Sequence, residues 1–452
     1  MSVVAPREPS RSVRPRVDTT RAGSGPVWRQ YLRALGPGLV TGASDDDPSG
    51  IATYAQVGAR FGFGLLWAAL ITLPLMAAVQ EICDRTALAT AKSLGELAAE
   101  RFARRGRIVI AVLLVALIGA NALNIAADLA AIGDGMHLLR AGPPWLWALL
   151  AGSAIAAMVM SGSFETMARV FKVICVALLA YLGVLFVVKV KWGSVAAHTF
   201  VPHITFSADY LMLLVAVLGT TISPYLFFWQ SAHRIEELRD EPEGGEDAIA
   251  LDMRSTPGEK NKVRTSRADV FAGMTFSNVV MFAIIVATAA TLGRHGNRDV
   301  ALGSGGCPCP APRGGRVVDP ALRRRVHRSR VPCRARPGGL RVGRPVGPSR
   351  EGWGFSRSPR DAPVFYGLVV AGTAGGTVLT LAGISAMKLL VVVALINGLA
   401  AAPFLVVVML ISKDRELMGE HRNGRLARTL GWLTVGLMAL AAIALLAGGA
   451  GL

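Results

Sequence analysis

Long apolar runs separated by short charged stretches dominate the chain, and most are long enough, at about 20 residues, to cross a bilayer as a helix. Residues 64–91, 108–139, 145–160 and 167–190 give the second to fifth spans, the fourth barely long enough; 210–233 gives the sixth, 268–292 the seventh. Apolar spans resume at 364–384, 388–411 and 430–449. The first apolar stretch is different. Residues 34–43 and 51–59 are each too short to cross alone, and between them lies Ser44-Asp45-Asp46-Asp47-Pro48-Ser49-Gly50. Together they predict one broken span. The sixth is interrupted in a similar way by Gly219-Thr220-Thr221-Ile222-Ser223-Pro224-Tyr225, and residues 234–266 read as a charged loop.

The two breaks carry the chemistry. Proline lacks an amide hydrogen and glycine tolerates unusual backbone angles, so both spans are expected to unwind and free carbonyls that can bind cations. Non-helical backbone at membrane depth persists only inside protein or beside a wet cavity, and carboxylates there mark a functional site. The expected metal ligands are Asp47 and Gly50 on the first break and Thr220 and Ser223 on the second. Oxygen-only ligation suits hard ions such as Mg²⁺ and tolerates Mn²⁺. Asp45 and Asp46 are expected to attract cations at the mouth, or else to form a solvated rim.

Composition agrees with a polytopic all-α membrane protein: 52% of the 452 residues are hydrophobic, 17% are charged, and the mean hydropathy is +0.46. A net charge of +18 would suggest nucleic acid in a soluble domain. Here it sits between apolar runs, where membrane topology accounts for it without a nucleic-acid partner. Residues 1–33 hold seven arginines against Glu8 and Asp18 and read as a disordered cytoplasmic arm, with no secretory signal. With the arm inside, the basic loops after spans two and six also fall inside. The lysines at 189 and 191 fit less well. No disulfide framework is implied: Cys83 and Cys175 lie in apolar spans and the other three cysteines crowd into 307–333.

Residues 301–360 do not belong with the rest. They contain fourteen arginines, no lysine, two acidic residues, eleven glycines and nine prolines. Only three spans follow the seventh, which puts the last basic loop outside; one more crossing puts it back inside and makes eleven. Alanine codons in GC-rich DNA read as arginine or proline in another frame. The expectation is a local frameshift, from near Arg298 to near Arg350, that has overwritten the eighth span. An insert binding nucleic acid or anionic lipid explains the arginines but not the lost parity. A metal site at Cys307 and Cys309 with His327 and Cys333 lacks zinc-type spacing.

Interrupted helices in corresponding positions of two halves point to the substrate site of an inverted-repeat transporter, and spans one and six open successive five-span units. This predicts a leucine-transporter-type 5+5 inverted repeat with the eleventh span outside it. Gly36-Pro37-Gly38, Asp47-Pro48 and Gly219 to Ser231 resemble the natural-resistance-associated macrophage protein (Nramp) family of divalent-metal transporters. That family's Asp-Pro-Gly-Asn is matched by Asp47-Pro48-Ser49-Gly50, which loses the asparagine ligand. Its Met-Pro-His is matched by Ser223-Pro224-Tyr225, and a second histidine falls on Gln230, so the thioether and both histidines are missing. In span three, Asn124 to Ala130 is similar to the family's acidic proton-path helix; Asp128 is kept and the following glutamate is Ala131. These departures resemble the Nramp-related magnesium transporter branch, which implies a wider site, lined here by Ser49, Gly50 and Ser223, moving partly hydrated Mg²⁺ or Mn²⁺ without proton coupling. The resemblance implies no resident cofactor, a cell-membrane location with a cytoplasmic N-terminus, and a monomer whose partners are the ions and the bilayer.

The remaining polar residues in the spans are weaker candidates. Glu81 lines a cytoplasmic vestibule or snorkels to the interface; Asn278 and Asn397 face the cavity or join helices; Tyr54, Tyr225 and Trp229 read as packing or interface aromatics, with Tyr225, Gln230 and Asp128 also candidates for the cavity or ion path. An intramembrane prenyl transferase would need Asp-Asp-x-x-Asp, and position 49 is serine. An organic-solute carrier would rarely place an aspartate at the first break. The runners-up are a proton-coupled Mn²⁺/Fe²⁺ importer and a non-functional frameshifted product.

Overall fold

The computed structural model describes residues 37–101, 107–160, 177–205, 207–239, 248–293 and 363–449. The basic arm, the Arg-rich segment with its cysteines, and the eighth span expected there lie outside the described residues. What is described is overwhelmingly helical. Among those residues, six helices are long and apolar enough to cross a membrane, and shorter apolar helices cover Pro144–Met158, Ala177–Val187 and Val370–Leu381.

Each break falls where the sequence places it and is tighter than expected. The first span is two helices, Pro37–Asp45 and Pro48–Phe61, so only Asp46 and Asp47 leave the helical path. Asp47 is an N-cap with an extended backbone (φ −70°, ψ 170°), and Pro48 takes the first helical position, where its missing N–H costs nothing. The sixth span is Ala208–Thr221 and Pro224–Arg239, interrupted only at Ile222 and Ser223, with Pro224 opening the second half.

Of the charged loop expected over 234–266, residues 240–247 lie outside the described residues and most of the rest is helix instead. The sixth span continues to Arg239, and the seventh is a 36-residue helix, Thr256–Thr291, about 54 Å long at 1.5 Å per residue. That exceeds a bilayer core of about 30 Å, so one end projects beyond it. A polar helical extension is stable when its charges are paired. Lys262 meets Glu237 at 2.9 Å and Arg267 meets Glu81 at 2.9 Å.

The broken helices sit at the centre. Both halves of the first span pack along Thr256–Thr291, and the second half also meets Ala208–Thr221 and the tenth span, Ala386–Lys413. The third span (Arg107–Leu138), the helix Pro144–Met160 and the helix Pro363–Leu381, expected as the ninth span, pack on one another. The tenth touches both groups. Large apolar side chains left exposed, such as Val115, Phe186, Val187 and Leu440, are those a lipid phase would cover.

With lipid tails as apolar as leucine, these helices gain from close packing rather than from burial alone. A Cβ on Gly42 would lie 2.1 Å from the Gly273 carbonyl oxygen, and one on Gly219 would lie 2.2 Å from the Ala394 carbonyl oxygen. Each broken span is thus pressed backbone to backbone against a continuous helix. Gly42→Leu is expected to force the first half-helix off Thr256–Thr291 and to cost about 1–3 kcal/mol; a lowered melting temperature of the detergent-solubilised chain checks this, and an unchanged one would mean that the two helices do not meet there.

Candidate functional site

The carboxylate of Asp47 collects four donors. Oδ1 accepts from the Ser49 hydroxyl at 2.6 Å and from the Gly50 amide at 2.8 Å, which is the capping bond of the second half-helix. Oδ2 lies 3.1 Å from the Tyr225 hydroxyl and 3.3 Å from the amide nitrogen of Asn124. Tyr225 also lies 3.2 Å from the Ser44 carbonyl. Spans one, three and six therefore meet at one charged group, at a helix N-terminus whose dipole favours an anion. The same Asn124 nitrogen is 3.5 Å from Asp128 Oδ2, one helical turn along span three.

The second break does not present its hydroxyls to Asp47. Ser223 Oγ turns back to the carbonyls of Gly219 (2.5 Å) and Thr220 (2.8 Å), occupying the groups that unwinding was expected to free. The Thr220 hydroxyl lies 3.0 Å from the Val217 carbonyl and 3.2 Å from the hydroxyl of Tyr54, which is fully buried rather than interfacial. The side chain that reaches Asp47 from this break is Tyr225.

Asp45 and Asp46 are neither at a mouth nor on a solvated rim: they are 0% and 4% exposed. Both face span seven, where Ser277 Oγ lies 2.5 Å from Asp45 Oδ2 and 3.4 Å from Asp46 Oδ1. A helix that keeps winding to Asp45 points these residues inward, away from the turn that a fully unwound segment would make. Asn278 joins helices, donating to the Ala69 carbonyl and Thr72 Oγ1 at 2.9 and 3.1 Å. Asn397 is buried in the tenth span. Glu81 is bound by Arg85 and by the half-exposed Arg267.

Two segments of the chain, 38–304 and 351–448, match the family model described as natural resistance-associated macrophage protein-like. The chain belongs to that family. Residues 305–350 of this Nramp-like chain, most of the Arg-rich segment, fall between the matched segments. A protein named divalent metal cation transporter MntH from Verminephrobacter eiseniae is 28% identical over 283 residues, 60% of this chain and 58% of its own length. One of the same name from Aeromonas hydrophila subsp. hydrophila is 25% identical over 420 residues, 91% of this chain and 95% of its own. The Nramp-like chain spans under two thirds of the first curated relatives that it matches. The crystal structure of an Eremococcus coleocola manganese transporter, in complex with an aromatic bis-isothiourea substituted compound, superposes with a TM-score of 0.61. At 15% identity over 94% of this chain and 88% of that one, the likeness establishes the fold.

Gln230 of the Nramp-like chain belongs to a second polar assembly that the sequence reading missed. Its Oε1 accepts from Thr41 on the first half-helix (2.5 Å) and its Nε2 donates to Asp84 on span two (2.8 Å). Asp84 in turn accepts from Ser266 and from Arg234 Nε (2.6 Å), and Arg234 also reaches Glu237 and, at 3.2 Å, Asp269. With Lys262 on Glu237 and Arg85 and Arg267 on Glu81, four cationic side chains meet four carboxylates. Buried charge is costly unless balanced in this way. The signal was in the sequence: Asp84 is a carboxylate inside the second predicted span, and Arg234 is an opposite charge directly after the sixth. Arg234→Met is expected to destabilise the fold by about 3–5 kcal/mol, because Asp84 and Asp269 stay buried without their partner; a thermal melt of the solubilised variant reads this, and a wild-type melting temperature would show the pairs to be expendable.

Proposed function

We propose that this chain is a secondary transporter of divalent metal cations that carries Mg²⁺ and Mn²⁺ by uncoupled, facilitated alternating access between broken spans one and six. The observation that carries the reading is the Asp47 carboxylate, held at the point where three spans converge. Membership of the family and the printed names of the relatives, divalent metal cation transporters, support the substrate class. The choice of hard ions rests on donor chemistry. Around Asp47 stand Ser49, Tyr225, Asn124 and Asp128, all oxygen or amide groups, with no thioether or imidazole among them. Uncoupled transport rests on Tyr225 and Gln230 standing where the resembling motif carries histidine. In this reading the protein lies in the cell membrane with its N-terminus in the cytoplasm, and spans one to five and six to ten form inverted repeats.

Asp47→Asn keeps an oxygen to cap Gly50 and removes the charge. In proteoliposomes bearing the chain with its eighth span restored it is expected to cut Mn²⁺ uptake to the rate of empty vesicles, with no internal acidification accompanying uptake by the restored parent. Unchanged uptake by the variant would remove Asp47 as a ligand, and acidification would favour the proton-coupled Mn²⁺/Fe²⁺ importer.

The same proposal takes residues 301–350 as a frameshifted reading of the eighth span. The absence of lysine, the topology count and the position of the unmatched stretch all support it. Resequencing the DNA beneath residues 293–360 is expected to show a compensating pair of indels whose correction restores an apolar run of about 20 residues. If the Arg-rich frame stands, the eighth span is lost from the gene and transport by the natural product should be absent.

A further inference from the structure

The amide of Asn124 is placed oddly for a purely structural group. Its nitrogen faces two carboxylates at once, Asp47 Oδ2 at 3.3 Å and Asp128 Oδ2 at 3.5 Å. Its oxygen, on a side chain only 9% exposed, has no hydrogen-bond partner, and neither does Asp128 Oδ1. Buried polar atoms left unpaired in this way call for an explanation, and a missing ligand is one of the ordinary ones. The two carboxylates come from different helices, span one and span three, and nothing cationic lies between them among the described partners. The weakly positive end of one amide stands in that place.

We propose that Asn124 is a direct ligand of the transported divalent cation, which binds between Asp47 and Asp128 and is met by Asn124 Oδ1 after the amide turns over. The inference rests on the transport reading above and deepens it by moving half of the site from span six to span three. A cation entering between the carboxylates repels the amide hydrogens that face it. Rotation about the terminal bond of asparagine is two-fold and cheap, so a half-turn brings the unpaired oxygen to the ion and sends the NH₂ group away. The i, i+4 spacing keeps Asn124 and Asp128 on one helical face throughout. The cation then has two carboxylates and an amide oxygen, the donor types that Mg²⁺ and Mn²⁺ accept, with water to complete the shell.

The test separates a ligand from a residue that merely orients Asp47. Mn²⁺ affinity of the purified full chain in detergent micelles is measured by the loss of the free-ion electron paramagnetic resonance signal, for wild type, Asn124→Ala and Asn124→Asp. Removing the oxygen with alanine is expected to weaken binding by at least about 10–100-fold, the loss already typical of outer-shell partners, so the aspartate variant makes the distinction. Aspartate supplies an oxygen at the same place but no N–H, so a ligand role predicts affinity within about threefold of wild type or tighter, consistent with the added charge. Loss in Asn124→Asp as large as in Asn124→Ala would make Asn124 only a donor to Asp47 and overturn the proposal, as would wild-type affinity in Asn124→Ala. Should Asn124→Ala fail to fold, the near-isosteric Asn124→Asp decides alone. Absence of Mn²⁺ binding by the full chain with its eighth span restored, the background in which all three forms are compared, would overturn the transport reading itself, whereas a failed Asn124 result leaves that reading standing on Asp47.

Discussion

A helix interrupted inside a bilayer has to find partners for the backbone groups that it releases, and here one carboxylate both takes such a group, the Gly50 amide, and joins three spans. Asp47 caps the half-helix that starts at Pro48, so its position is set by the backbone before any ion arrives. Its second oxygen is left for Tyr225 and Asn124. Structural and chemical roles are thus divided between the two oxygens of one side chain. At the second break the division is different: Ser223 spends its hydroxyl on its own helix, and Tyr225, two residues on, does the reaching.

Around this centre the helices are fixed by two means suited to a lipid solvent. One is backbone contact at Gly42 against Gly273 and at Gly219 against Ala394, where van der Waals attraction replaces the hydrophobic effect. The other is the balanced charge assembly that ties spans two, six and seven, with Gln230 extending it to Thr41 on the first half-helix.

Six spans were legible in the sequence because a bilayer demands about 20 apolar residues in a row, and both breaks were legible because Pro48 and Pro224 interrupt such runs. Asp47 stood out as a carboxylate beside a proline. Its capping role was also readable from Asp-Pro-Ser-Gly, an N-cap followed by proline at the first helical position, yet the expectation of freed carbonyls hid it. Hydropathy missed the helix at 256–266, since charges that pair with residues distant in the chain look like a solvated loop. Asn124 was beyond local pattern: an asparagine in an apolar helix matters only when its neighbours from other spans are known. The inward turn of Asp45 and Asp46 depended likewise on how far the first half-helix winds before it stops.

The length of the seventh helix has a mechanical consequence. A rod of 36 residues touches the first half-helix through Ser277 and Gly273, and four to eleven residues before Gly273 it engages the charge assembly through Asp269, Arg267 and Lys262. An uninterrupted helix scarcely bends over so short a stretch. A tilt of the first half-helix must therefore either slide along this rod, breaking the Ser277 contact, or carry it and pull on Arg234 and Glu81. Motion at the centre of the membrane and motion at its edge share one lever.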